Sequence, residues 1–74
     1  MTSAQCRAAR ALVQMTTAQL SGHAVIPRVV IEEFETVGTP LSEADQMALR
    51  SALERAGCVF VDENGGGPGV RLRG

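Results

Sequence analysis

Apolar residues recur three and four positions apart through most of the chain, which is the spacing of amphipathic helices. The pattern over residues 3–14 predicts a first helix with Ser3 as its N-cap. The positions expected to face the core are Cys6, Ala9, Leu12 and Val13.

Two shorter helices are predicted next. Thr16 is followed three residues later by Gln19, which forms the pattern of a capping box, so a second helix starts at Thr16 and ends near His23 or Ala24. Proline suits the first turn of a helix, and a third helix is therefore predicted over residues 27–35. The inward positions of this region are Leu20, Ala24, Ile26, Ile31 and Phe34.

A loop marked by Gly38 and Pro40 precedes the fourth helix. Ser42 is followed three residues later by Asp45, which predicts a helix start. The helix is expected to run to about Ala56, with Gly57 closing it. Its apolar stripe consists of Ala48, Leu49, Ala52, Leu53 and Ala56.

After Gly57 the apolar pattern changes to alternation, in "CVFVDE" and again in "GVRLRG". The glycine-rich "NGGGP" between them predicts the turn of a β-hairpin. Val70 and Leu72 should face one way, and Arg71 and Arg73 the other. An isolated hairpin is only marginally stable, so its apolar side must pack on the first helix, on the fourth helix or on a second protomer. The two arginines fit protection of a strand edge, contact with phosphate or pairing with a partner strand.

The length of 74 residues predicts one domain, with a helical core over 3–56 and a hairpin tail over 57–74. Seven arginines, no lysine and eight acids give a net charge of −1, which lends no support to nucleic-acid binding. The N-terminus lacks the pattern of a signal peptide, and no apolar run is long enough to span a membrane, so we expect a cytoplasmic protein. Cys6 and Cys58 are then expected to be reduced, with a bridge between them as the alternative.

Catalytic patterns are missing from the sequence. His23 is the sole histidine and has no cluster of His, Cys or Asp around it. The glycines of "NGGGPG" lack the following Lys-Ser/Thr of a phosphate-binding loop. We therefore expect no enzyme activity, no cofactor and no metal.

Residues 15–35, "MTTAQLSGHAVIPRVVIEEFE", align without a gap to a helix-turn-helix pattern. Residues 3–56 on this basis resemble the phage-repressor/Cro-like family, also called the xenobiotic-response-element family. The tail "ENGGGPGVRLR" is similar to the ending of many short bacterial members. The resemblance implies a mainly α fold: a four-helix lambda-repressor-like helix-turn-helix domain with a C-terminal β-hairpin. It also implies a structural ion pair between Arg10 and Glu35 that ties the first helix to the third.

The chain departs from the family pattern at the turn. Val25 stands where the family has Gly, at a position that takes positive φ, so the turn should be strained or rebuilt. Pro27 replaces a residue whose side chain would cap the third helix. The resemblance assigns phosphate contact to position 17 and base contact to positions 28, 29, 32 and 33. Those positions carry Thr17, Arg28, Val29, Glu32 and Glu33.

The composition of this face permits two functions. Val25, Val29 and Val30, flanked by Glu32 and Glu33, are typical of a protein-binding surface. The chain would then be a bacterial transcription regulator that binds a transcription activator or other regulatory protein, as an antiactivator that sequesters it. The alternative is a DNA-binding transcriptional repressor that reads duplex DNA at an operator as a homodimer. In that case Thr17, Arg28, Val29 and Glu33 contact the DNA.

Overall fold

The computed structural model describes residues 1–61 and 66–74. Within them the chain is mainly helical and ends in a two-stranded antiparallel hairpin, as expected. The elements are α1 (Ser3–Leu12), α2 (Thr17–Ala24), α3 (Arg28–Thr36), α4 (Glu43–Arg55), β1 (Cys58–Val61) and β2 (Gly69–Leu72). None of the described helices has the length and apolar character needed to cross a membrane.

The first helix differs from the prediction at both ends. Thr2, not Ser3, is its N-cap: the Thr2 hydroxyl accepts from the backbone N–H of Gln5, and the Gln5 side chain accepts from the N–H of Thr2. The helix ends at Leu12, because Gln14 adopts a φ of 54° that no α-helix continues through. Leu12 is consequently 39% exposed and not a core residue.

The other predicted helix ends agree with the structure. Thr16 and Gln19 form the reciprocal capping box at the start of α2. The Ser42 hydroxyl accepts from the backbone N–H of Asp45 at the start of α4. Gly57 takes a φ of 117°, which favours glycine, directly before β1. Ala56 is exposed and therefore does not belong to the apolar stripe of α4.

The core lies where α2 meets α3 and α4, with α1 closing it from the side of the hairpin. Its largest fully buried side chains are Leu20, Ile31, Leu49, Leu53 and Cys6. Phe34 and Phe60 are also buried, so both aromatic residues of the chain serve the core. Cys6 and Cys58 are free thiols, both buried.

The hairpin packs on both the first and the fourth helix, the two that were predicted as its alternatives within the chain. β2 lies against α1, and β1 lies against α4. Cys58 pairs with Leu72 and Phe60 with Val70, which puts these four side chains on the face toward the core. Leu72 is nevertheless 47% exposed. The predicted strand ending "DE" and turn start "NG", residues 62–65, lie outside the described residues.

Gln5 holds the hairpin at the end where its two strands turn. Its side-chain amide Nε2 donates to the carbonyl of Val61 at 3.3 Å and to the carbonyl of Gly69 at 2.9 Å. Among the described residues, Val61 and Gly69 are the cross-strand pair nearest the turn. Gln5 is 6% exposed, and its buried polar group is thus satisfied on both its nitrogen and its oxygen.

The ion pair expected between Arg10 and Glu35 is present and joins α1 to α3. Arg10 Nη2 donates to Glu35 Oε1 at 2.6 Å, and Arg10 Nε donates to Oε2 at 2.8 Å. Cys6 Sγ donates to the same Oε2 at 3.1 Å, and Arg7 donates to the Glu35 backbone carbonyl. The Glu35 side chain is 3% exposed, so this carboxylate has exchanged water for three protein donors.

Burial by itself raises the pKa of the Glu35 carboxyl, but the hydrogen bonds from Arg10 and Cys6 outweigh it and hold the pKa below its ordinary value. The carboxylate is therefore charged in the folded protein and depends on Arg10 for its neutralisation.

Arg10→Ala should lower the free energy of unfolding by about 3–5 kcal/mol, because it leaves a buried carboxylate without its cation. Urea unfolding followed by circular dichroism measures the change. Arg28→Ala is the matched control, since it breaks an exposed i,i+4 pair with Glu32 and should cost no more than about 0.5 kcal/mol. Equal stability of the two variants would contradict the role given to Glu35.

The buried thiols predict a loss of stability at alkaline pH. Burial, followed by the hydrogen bond to Glu35, raises the pKa of Cys6 from 9.0 to about 12. The unfolded chain therefore releases this proton first, and stability should fall as the pH rises from 9.0 toward about 12. Burial also raises the pKa of Cys58 and adds to the same loss.

Cys6→Ser keeps a hydroxyl donor for Glu35 but does not titrate in this range. The melting temperature of this variant should decline less steeply above pH 9 than that of the unaltered chain. The slope that remains belongs to Cys58, and Cys58→Ser removes it. An unchanged slope in the double variant would refute the assignment.

Candidate functional site

The turn between α2 and α3 consists of Val25, Ile26 and Pro27. Val25 adopts φ 57° and ψ 50°, the left-handed region, and of the two outcomes expected for this turn the structure has the strained one. The backbone N–H groups of Val25 and Ile26 both donate to the carbonyl of Ser21, and the Ser21 hydroxyl donates to the carbonyl of Ile26. These bonds let Ile26 enter the core at 4% exposure while Val25 stays 87% exposed.

Pro27 is the N-cap of α3, and no side chain caps this end. Its φ of −56° is the value that the pyrrolidine ring prefers, and its carbonyl accepts from the N–H of Val30 and of Ile31. The helix is thus started by backbone geometry alone, at a position where the resembling family has a polar cap.

Two of the predicted protein-binding residues lie on the outer side of α3. Val29 is 58% exposed, and Glu33, one helical turn later, is exposed too. Val37 continues this line by a further turn at 77% exposure, and the sequence reasoning missed it. We call Val25, Val29, Glu33 and Val37 the outer α3 face. Ile31, Phe34 and Glu35 fill the opposite side of α3, so the outer α3 face points away from the core of the described residues.

Val30 does not belong to the outer α3 face. It is half-buried and packs against the core cluster, so it is only partly exposed, and its contact with a partner stays a prediction. Position 30 lies beside the buried stripe of the helix, whereas position 29 lies opposite to it. An aspartate at position 30 would therefore disturb folding as well as binding.

The candidate DNA contacts Thr17 and Arg28 both meet the carboxylate of Glu32. Thr17 Oγ1 donates to Glu32 Oε2 at 3.1 Å, and Arg28 Nε lies 3.5 Å from the same oxygen. The Thr17 hydroxyl, which the resemblance assigns to phosphate contact, is thus bound to a carboxylate. The Arg28 guanidinium, which the resemblance assigns to base contact, is paired with the same carboxylate. The Arg28 side chain remains 63% exposed, however.

Among the described residues, the other arginines bind other groups or lie on the hairpin. Arg7 and Arg10 are bound to Glu35, Arg50 forms an ion pair with Glu54 and lies over the Phe60 ring, and Arg55 reaches the carbonyl of His23. Arg71 and Arg73 are exposed on the hairpin. In the part of the chain that the structure describes, no group of three His, Cys, Asp or Glu side chains is placed to hold a metal ion.

Comparison with known proteins adds no family to these observations, since no family model and no curated protein matches the chain.

The left-handed backbone of Val25 yields a test of strain. Val25→Gly should raise the free energy of unfolding by about 1 kcal/mol, because the left-handed region is costly for a β-branched residue and accessible to glycine. Thermal and urea unfolding measure the gain.

Val29→Gly is the matched control within regular helix. It should lower the free energy of unfolding by about 0.5 kcal/mol through its poorer helix propensity. A loss of stability in both variants would show that Val25 carries no strain.

Proposed function

We propose that the chain is a bacterial transcription regulator with a degenerate helix-turn-helix, acting in the cytoplasm by binding a partner protein. Its action would be that of an antiactivator that sequesters a transcription activator. The observation that carries the proposal is the pairing at Glu32: the two groups best suited to DNA, the Thr17 hydroxyl and the Arg28 guanidinium, are both engaged by an acid. Proteins that bind phosphate need free donors and cations at these positions.

The scaffold supports the helix-turn-helix part of this proposal. A short α2 (Thr17–Ala24), a three-residue turn and α3 (Arg28–Thr36) follow one another in the order that the motif requires. The outer α3 face supports the protein-binding part. Exposed valines beside Glu33 suit a desolvated contact with a protein better than a contact with the sugar–phosphate backbone.

The alternative is a dimeric DNA-binding repressor, and one observation favours it. Arg28 is largely exposed, and an exposed i,i+4 pair is worth only about 0.3–0.5 kcal/mol. Arg28 could leave Glu32 and form a bidentate pair with guanine at little cost. Val29 would then lie toward a thymine methyl group.

The deciding experiment is capture of partners on the immobilised chain from a bacterial extract, with and without nuclease. We expect a protein that remains bound after nuclease treatment and is lost with Val29→Asp, but retained with Arg28→Ala. The control is Met47→Asp, which puts the same charge on an exposed apolar position of α4.

A DNA reader would behave in the opposite way. Capture would disappear with nuclease, one DNA fragment would be enriched, and Arg28→Ala would abolish its salt-dependent binding. That result would overturn the proposal in favour of the repressor.

A further inference from the structure

A shallow apolar depression lies between the end of α2 and the start of α3. It is lined by Ser21, Gly22, Val25, Ile26 and Pro27. Its position adjoins the outer α3 face, since Val25 belongs to both. The depression is open to solvent.

Gly22 forms this depression without serving the fold. It lies inside α2, where glycine is less favourable for the helix than alanine. A Cβ at this position would meet nothing within 4 Å, and its φ is not positive, so neither packing nor backbone geometry within the chain requires glycine. What the missing side chain provides is access to the surface beneath it.

Three features that lower stability are therefore concentrated at one place. Gly22 weakens α2, Val25 is strained and 87% exposed, and Val29 is 58% exposed. Features that cost stability and do not serve the fold are typical of binding sites. An apolar group placed in the depression would cover Gly22 and Val25, which line it.

The charge beside the depression determines what kind of partner fits. The Arg28–Glu32 pair is neutral as a unit. In residues 1–61 and 66–74 no side chain forms an ion pair or a hydrogen bond with the Glu33 carboxylate, which leaves one negative charge on the face. Val25 lies in the turn before α3, and Glu33 lies five residues after Arg28, roughly 7.5 Å along the helix at 1.5 Å per residue.

We propose that this surface binds a basic amphipathic helix of another protein, with an apolar side chain in the Gly22 depression and an Arg or Lys at Glu33. The two anchors on the partner would lie on one side of its helix, which would pack along α3. The inference rests on the proposed function, because it names the partner chemistry of the same face.

Two designed peptides of 18 residues test it. Both carry the same leucine stripe at helical spacing, and they differ only in having Arg or Glu beside the stripe. Binding is followed by amide chemical shifts of the isotope-labelled chain. We expect the Arg peptide to bind at least tenfold more tightly than the Glu peptide, with the largest shifts at Gly22, Val25, Val29 and Glu33.

Variants separate the two anchors. Gly22→Leu fills the depression, should weaken the Arg peptide at least tenfold, and should raise the melting temperature by several degrees because leucine favours the helix. Glu33→Arg should reverse the preference in favour of the Glu peptide. Ala44→Leu and Glu43→Arg put the same changes on exposed positions of α4 and should alter neither preference.

Equal binding of both peptides, shifts centred elsewhere, or full binding by Gly22→Leu would overturn the inference. A dimer in sedimentation that Gly22→Leu disperses would also overturn it, because the occupant would then be a second copy of the chain. A protein captured despite nuclease and still held by both Gly22→Leu and Glu33→Arg would refute this site alone. Loss of capture with nuclease would instead refute the proposed function.

Discussion

The carboxylate of Glu35 is the point on which the arrangement of the helices depends. It is buried between α1 and α3, and it receives the guanidinium of Arg10 on both oxygens and the thiol of Cys6 on one. A carboxylate at such a position costs several kcal/mol of desolvation unless its donors are held in place. The observed placement of α1 against α3 satisfies this charge. The same placement buries Ile31 and Phe34 in the core.

This concentration of polar interactions on the inner side of α3 leaves its outer side without a structural task. Among the described residues no buried side-chain nitrogen or oxygen lacks a hydrogen-bond partner. The buried polar groups are therefore satisfied without Val29 or Glu33. The stability supplied around Glu35 can offset the strain at Val25 and the glycine in α2. Under the proposed function, rigidity and recognition fall on opposite sides of the same nine-residue helix.

Local signals made most of the fold predictable from the sequence. The box of Thr16 and Gln19 and the cap of Ser42 depend on residues three positions apart, and both were confirmed. Thr2 and Gln5 carry the same spacing, "TSAQ" against "TTAQ", and that signal would have identified the true N-cap of α1. Other features depend on contacts that no periodicity encodes.

The thiol of Cys6 on Glu35 and the Thr17 hydroxyl on Glu32 join residues far apart in sequence. The sequence did not predict the depression at Gly22, because a glycine within a helix indicates an open surface only when its spatial neighbours are known.

The two hydrogen bonds that the Gln5 side chain donates help to fix the register of the hairpin. Register in a two-stranded hairpin is usually dictated by the geometry of its turn. Here Gln5, a residue of α1, donates hydrogen bonds to both strands at the pair of Val61 and Gly69. The alignment of the strands is thereby tied to the first helix as well as to the chain that connects them. A substitution at Gln5 would loosen the pairing that places Phe60 and Val70 toward the core.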